Sequence, residues 1–225
     1  MYYGPVTRHL ILFDLDGTLV DSADIILAAQ ARAFAAVSLP MPERERALSI
    51  VGLSLREAFE VLAGRDGPID GLIEAYKTAF FELRRDESVP ERLFEGAAEL
   101  LDDLAAHERL ALGVATGKSR RGVDALSTVH GWEGRFATIQ TADDAPSKPH
   151  PAMIHQAAAE TRVMPARILM VGDSSYDMMM ARSAGARAIG VGWGFQPREA
   201  LREAGAERIV ESFDELHALI ASLEA

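Results

Sequence analysis

The sequence predicts an α/β protein: a doubly wound parallel sheet with an all-helical unit inserted after its first strand. Three observations predict it. From Pro90 onward, short apolar runs alternate regularly with amphipathic stretches, as strands joined by crossover helices do. Leu10–Phe13 is a fully apolar run that ends abruptly in two carboxylates and a Gly-Thr turn, and reads as a buried strand. The next strand candidate, Leu110–Ala115, lies roughly a hundred residues further on, where a simple crossover takes about thirty. Nothing between Ser22 and Pro90 reads as a strand, so the excess places a helical unit at residues 22–90 and a discontinuous core at 1–21 and 91–225.

In order, Asp21-Ser22 suits the N-cap of a helix over 23–37, which is rich in helix formers with apolar residues at helical spacing. Pro40 and Pro42 break that pattern. Further helices follow over 55–63 and 69–85, the latter with Leu72, Ile73, Tyr76, Phe80 and Leu83 on one face. The core then reads as helix 96–106, strand 110–115, helix 119–129, short strand 137–141 and helix 151–162. Strand 168–171, helix 176–184, strand 188–191, helix 197–204, strand 208–210 and helix 213–223 complete it. No internal repeat or low-complexity tract interrupts the series.

Composition narrows the chemistry. The 225 residues carry a formal charge of -11, with 48% hydrophobic and 25% charged residues, enough for one full core and a smaller unit. With no cysteine, any metal is to be held by oxygen or imidazole, and thiolate nucleophiles are excluded. The segment Met1–His9 lacks the basic start and apolar run of a signal peptide, and no apolar stretch is long enough to cross a bilayer. The expectation is a cytoplasmic protein, monomer or homodimer, that binds neither membrane nor nucleic acid. A local patch at Lys118, Arg120 and Arg121 remains able to attract a phosphate.

In doubly wound sheets ligands bind beyond the carboxyl ends of the strands. There the sequence sets Asp14-Leu15-Asp16-Gly17-Thr18, then Thr116-Gly117-Lys118, Ser147-Lys148-Pro149, and Gly172-Asp173-Ser174-Ser175-Tyr176-Asp177. Singly, each has an ordinary explanation as a turn, a cap or a solvated charge. Together they put two carboxylate pairs, a hydroxyl with free backbone N–H groups and an ammonium on one rim. That set suits a phosphoryl group bound with a divalent cation, because phosphoryl transfer depends on positioning and on neutralising oxygens. Mg²⁺ prefers about six oxygen ligands and keeps several waters. A carboxylate screened in this way can attack phosphorus, and a second carboxyl must protonate the departing alcohol.

These four motifs, in this order and over essentially the whole chain, resemble the haloacid dehalogenase superfamily, in its subfamily with a helical cap after the first strand of a Rossmann-like core. The resemblance implies Asp14 as nucleophile and Asp16 as general acid and base. It implies Mg²⁺ held by Asp14, the Asp16 carbonyl and Asp173, with Asp177 orienting water or Lys148. Thr116, the Gly117 N–H and Lys148 then bind the phosphoryl oxygens. Leu19-Val20-Asp21-Ser22, Ser147-Lys148-Pro149-His150-Pro151 and Gly192-Trp193-Gly194 look most like phosphoglycolate phosphatase-like members, which hydrolyse small phosphorylated metabolites. Asp16 argues against the dehalogenases, which lack it. Sugar phosphomutases of the β-phosphoglucomutase type share all four motifs and stay open as the alternative. A non-catalytic phosphate-binding module is a further one, although no motif residue is lost.

Outside the motifs, Gly52-Leu53-Ser54-Leu55-Arg56 is the stretch of the insert best placed to select a substrate, weighed against an ordinary helix start with a solvated Arg56. Trp193 reads as loop packing. Met178-Met179-Met180 reads as helix core. His150 reads as structural, and Arg120 and Arg121 as a solvated helix face.

Overall fold

The computed structural model describes residues 8–86 and 89–223; readings that fall on 1–7, including most of the opening segment, lie outside these. The sheet has six strands, all parallel, in the order β5-β4-β1-β6-β7-β8. They are β1 (His9–Phe13), β4 (Leu110–Ala115), β5 (Thr138–Gln140), β6 (Ile168–Gly172), β7 (Arg187–Val191) and β8 (Arg208–Val210). β1 lies between β4 and β6. The chain runs outward through β4 and β5 on one side, then returns to build β6, β7 and β8 on the other. The carboxyl end of β1 is therefore the point where the winding reverses, which is where such sheets bind ligands.

Strand alternation sends successive β1 side chains to opposite faces. Ile11 and Phe13 join Leu112, Val114, Leu169 and Val171 under the helices α5 (Ala97–Ala105), α6 (Arg120–His130) and α10 (Phe213–Ala221). Leu10 and Leu12 join Met170, Ala188, Met178 and Met180 under α7 (Ala152–Thr161), α8 (Ser175–Ala184) and α9 (Arg198–Ala204). Both faces are covered, as the near-continuous apolar strands require.

Between β1 and β4 the chain forms α1 (Ala23–Ala36), α2 (Arg44–Leu48), α3 (Leu55–Ala63) and α4 (Ile69–Asp86). These bury an apolar cluster of their own, including Ile26, Phe34, Leu48, Phe59, Leu62, Leu72 and Ile73. Among the described residues no helix is long and apolar enough to cross a membrane.

Two local features differ from expectation. Val20–Asp21 (β2) and Arg92–Leu93 (β3) pair antiparallel where the chain leaves and rejoins the core. Two-residue strands have no period for a sequence to display. Ser22 does precede α1, but its hydroxyl makes no capping bond and is buried without a partner among the described residues.

Candidate active site

Asp14 follows the last residue of β1 and keeps the sheet ladder going, its N–H donating to the Val171 carbonyl at 2.9 Å. Its side chain is buried. Oδ1 accepts from the Leu15 N–H at 2.8 Å and lies 3.1 Å from the Lys148 ammonium. Oδ2 is buried with no hydrogen-bond partner among the described residues.

Lys148 arrives from the loop after β5, fully buried, with its ammonium 2.6 Å from Asp177 Oδ1. A buried cation is tolerated only when paired, and here two carboxylates share it. Asp177 is fixed in turn from its own helix. Its Oδ2 accepts from the Ser174 N–H at 3.2 Å and the Ser174 hydroxyl at 2.6 Å, while the Ser174 side chain accepts from the Asp177 N–H. This is a capping box at the start of α8, and it explains why the helix begins there.

Asp173, beyond the end of β6, accepts from the Thr18 hydroxyl at 3.2 Å and from the Phe195 N–H at 2.8 Å. Gly17 has φ +84, and a Cβ there would stand 2.3 Å from Asp173 Oδ2, so only glycine lets the loop close on this carboxylate. Asp14, Asp173 and Asp177 each present a carboxylate oxygen, all within 4.8 Å of one another. Burial is the first cause that pushes Asp14 up to about 6; Lys148 opposes it, and the charges of Asp177 and Asp16 add to it. Burial likewise holds Asp173 well above the usual carboxylate range, reinforced by Asp14 and Asp177. Three buried carboxylates around one point, one with an orphaned oxygen and no sulfur ligand nearby, are a donor set for a hard divalent cation.

Thr116 continues from β4, buried, with its N–H on the Gln140 carbonyl at 3.0 Å and its hydroxyl accepting from the Lys118 N–H at 3.2 Å. The Asp16 carboxylate is taken up by Lys118, whose ammonium donates to both its oxygens at 2.9 Å. Lys118 also pairs with Glu91 at 3.1 Å, and Glu91 with Arg84 of α4. Counting Lys118 with a surface patch missed this role. The available signal was its spacing of two from Thr116 at a strand end, which keeps both on the site side.

The insert sits on this rim. Ser54 N–H donates to the Ser147 hydroxyl at 2.9 Å, and Gln196 donates to the Ser49 carbonyl at 2.9 Å. A Cβ at Gly117 would lie 2.6 Å from the carbonyl oxygens of both Gly52 and Leu53. Arg56 faces solvent and pairs with Asp70 at 2.5 Å. Trp193 packs on Phe213 at 4.5 Å and donates to the Thr18 carbonyl at 3.0 Å, bracing the first loop. His150 accepts from the Ala152 N–H, and Arg120 is held by Asp144 and the Ile139 carbonyl.

A parallel sheet carrying this rim at its switch point, under a helical insert, defines a class of α/β hydrolases built for phosphoryl groups. The pattern of the family described as "Haloacid dehalogenase-like hydrolase" matches residues 11–191. The chain belongs to that family, and it stands among the family's phosphatases. It is 35% identical over 221 residues to "Probable phosphatase IndB" of Dickeya dadantii, covering 95% of each chain. It is 32% identical over 215 residues to the N-acetylmuramic acid 6-phosphate phosphatase of Pseudomonas putida, covering 94% of this chain and 96% of the other. A crystal structure of a predicted phosphatase from Clostridium acetobutylicum superposes with a TM-score of 0.85 at 27% identity, covering 96% of this chain and 99% of that one.

Proposed function

We propose that the protein is a Mg²⁺-dependent phosphatase that hydrolyses a small phosphomonoester through an aspartyl-phosphate on Asp14. Residues 22–90 serve as its cap, and residues 1–21 with 91–225 as its core. The observation that carries this reading is the pair of unlike oxygens on Asp14. One is held by Lys148 and the Leu15 N–H, and the other is buried yet, among the described residues, bonded to nothing.

Held in this way, Asp14 Oδ2 attacks phosphorus in line with the ester oxygen; the new O–P bond forms as the bond to the alcohol breaks. Asp16, once it leaves Lys118 and takes up a proton, donates that proton to the departing oxygen. It then takes a proton from the water that attacks the aspartyl-phosphate, freeing phosphate and regenerating Asp14. Lys148, the Thr116 hydroxyl and the Gly117 N–H bind the phosphoryl oxygens, and Asp177 keeps the Lys148 ammonium in place. Asp14, Asp173 and the Asp16 carbonyl would hold Mg²⁺, which when bound neutralises phosphoryl charge. Relatives named as phosphatases, one for a sugar 6-phosphate, favour transfer to water over transfer to a second sugar hydroxyl.

The test is phosphate release from a panel of phosphomonoesters that includes phosphoglycolate, with and without Mg²⁺, for the native chain and Asp14→Asn. Loss of metal or of the Asp14 carboxylate is expected to cut turnover on the order of a thousandfold while the circular dichroism melt persists. Activity retained by Asp14→Asn overturns the aspartyl-phosphate reading.

A further inference from the structure

Beneath the insert, a cavity of about 620 Å³ reaches from Asp14 and Thr116 up to α1, α3 and α4. That lies within the range of roughly 300–1,000 Å³ found for sites that enclose drug-sized ligands, and far exceeds what a phosphoryl group with a two-carbon acid fills. Its upper wall is apolar: Ile26, Ile50, Phe59, Ile73, Tyr76 and Phe80. Three of these rings form a continuous row, with Phe59–Tyr76 centroids 5.7 Å apart and Tyr76–Phe80 5.6 Å apart. Burial, with the charges of Asp16 and Glu91, raises the Tyr76 phenol far above its ordinary range, so the row stays neutral.

Most cations beside this wall are already paired with carboxylates. Lys118 holds Asp16 and Glu91, Arg84 holds Glu91, and Arg56 holds Asp70. A carboxylate on the substrate must displace a protein carboxylate to reach one of these three, as it must for Lys77 on Glu74; Arg121, at the edge of the cavity, lies over the Phe81 ring instead. A hydroxyl-rich sugar meets mostly carbon.

Gln30 brings an unmatched polar group to this wall. Gln30 on α1 is buried and lines the cavity, and its Nε2 donates to the Ala47 carbonyl at 3.0 Å, which fixes how the amide is turned. Its Oε1 therefore stands as an acceptor, and among the described residues no donor reaches it. Leaving a buried amide oxygen unpaired is costly, and a site retains such a group most readily when a ligand completes it.

We propose that this cavity takes the alcohol part of the substrate, and that this alcohol carries an apolar ring with a hydrogen-bond donor, O–H or N–H, that meets Gln30 Oε1. The ring lies against the Phe59–Tyr76–Phe80 row, and the donor selects among ring-bearing alcohols. The inference rests on the phosphatase reading above and deepens it.

Five esters with unactivated alkyl leaving groups test it: phosphoglycolate, glucose 6-phosphate, 2-phenylethyl phosphate and its ring-hydroxylated derivatives, meta and para. Expected is a kcat/KM for one hydroxyphenyl ester at least about tenfold above those for phosphoglycolate and glucose 6-phosphate. Gln30→Leu should then cut the ratio of kcat/KM between that ester and 2-phenylethyl phosphate by about tenfold. Because both esters are measured on one enzyme sample, a change in the folded fraction cancels from the ratio. Preference for phosphoglycolate or glucose 6-phosphate overturns the inference and leaves the phosphatase reading standing, as does a ratio that Gln30→Leu does not move. No phosphate from any ester, p-nitrophenyl phosphate included, overturns both.

Discussion

Four aspartates and two lysines share the rim at the end of β1, and burial sets how two of them, Asp14 and Asp173, respond to pH. Asp14 rises from 3.8 to about 6 and Asp173 rises well above 3.8, in each case first because burial disfavours the charged form. Below 3.8 both groups are protonated whether the chain is folded or not, so they add no pH dependence. Above it, the unfolded chain releases these protons while the folded chain retains them up to its higher values. Metal-free stability therefore falls as pH rises through that window. A divalent cation between the carboxylates removes the penalty, and does so only where they would otherwise be forced to ionise. On the proposed reading, saturating Mg²⁺ should raise the melting temperature by about 5–10 °C near pH 7.5 and by little near pH 4.5. Thermal melts with Mg²⁺ or chelator at the two pH values check this; equal shifts at both would sink it.

At the scale of elements, the contact that matters most is between the turn after β4 and the loop before α3. Gly117 meets the carbonyls of Gly52 and Leu53, which are backbone and cannot swing aside as a side-chain tip can. Gly117→Ala should lift that loop off the rim, lowering kcat/KM about tenfold or more at a stability cost of about 1–3 kcal/mol. Steady-state kinetics beside a urea melt check it, and unchanged kinetics would show that the loop does not need this seat. The elements themselves were legible where they are long and periodic: β4 and α3 have the expected bounds, and the helices of the core fall within a few residues of theirs. The β2–β3 pair and α2 were not, because two-residue strands display no period and α2 buries only Ala47 and Leu48. Asp14, Thr116, Lys148 and Asp173 were legible as a group because parallel topology sends every strand end to one rim. The role of Lys118 was hidden because a lysine beside two arginines reads as a basic patch able to attract a phosphate until Asp16 and Glu91 are seen to close on it.

The whole molecule divides along its apolar clusters. Neither of the two clusters that cover the faces of the sheet contains any residue from 22 to 90 among its buried members, and the insert closes on clusters of its own. The two passages of chain between them are tied by the short ladder that pairs Val20 with Leu93 and Asp21 with Arg92. A brief linker can therefore span the gap without disturbing β1. The core also keeps the ion pairs of Lys148 with Asp14 and Asp177, since all three residues lie outside the insert. Replacing residues 23–90 by a short Gly-Ser loop should thus leave a core that melts cooperatively. It removes the Phe59–Tyr76–Phe80 wall and opens the rim to water, which weakens electrostatic stabilisation of the transferring phosphoryl group. Expected is residual, poorly selective release of phosphate from p-nitrophenyl phosphate, with kcat/KM for preferred esters lower by about a hundredfold or more. A core without a cooperative melt would show that the insert supports the sheet as well as covering it. Undiminished selectivity would show that the sheet rim, and not the cap, reads the alcohol.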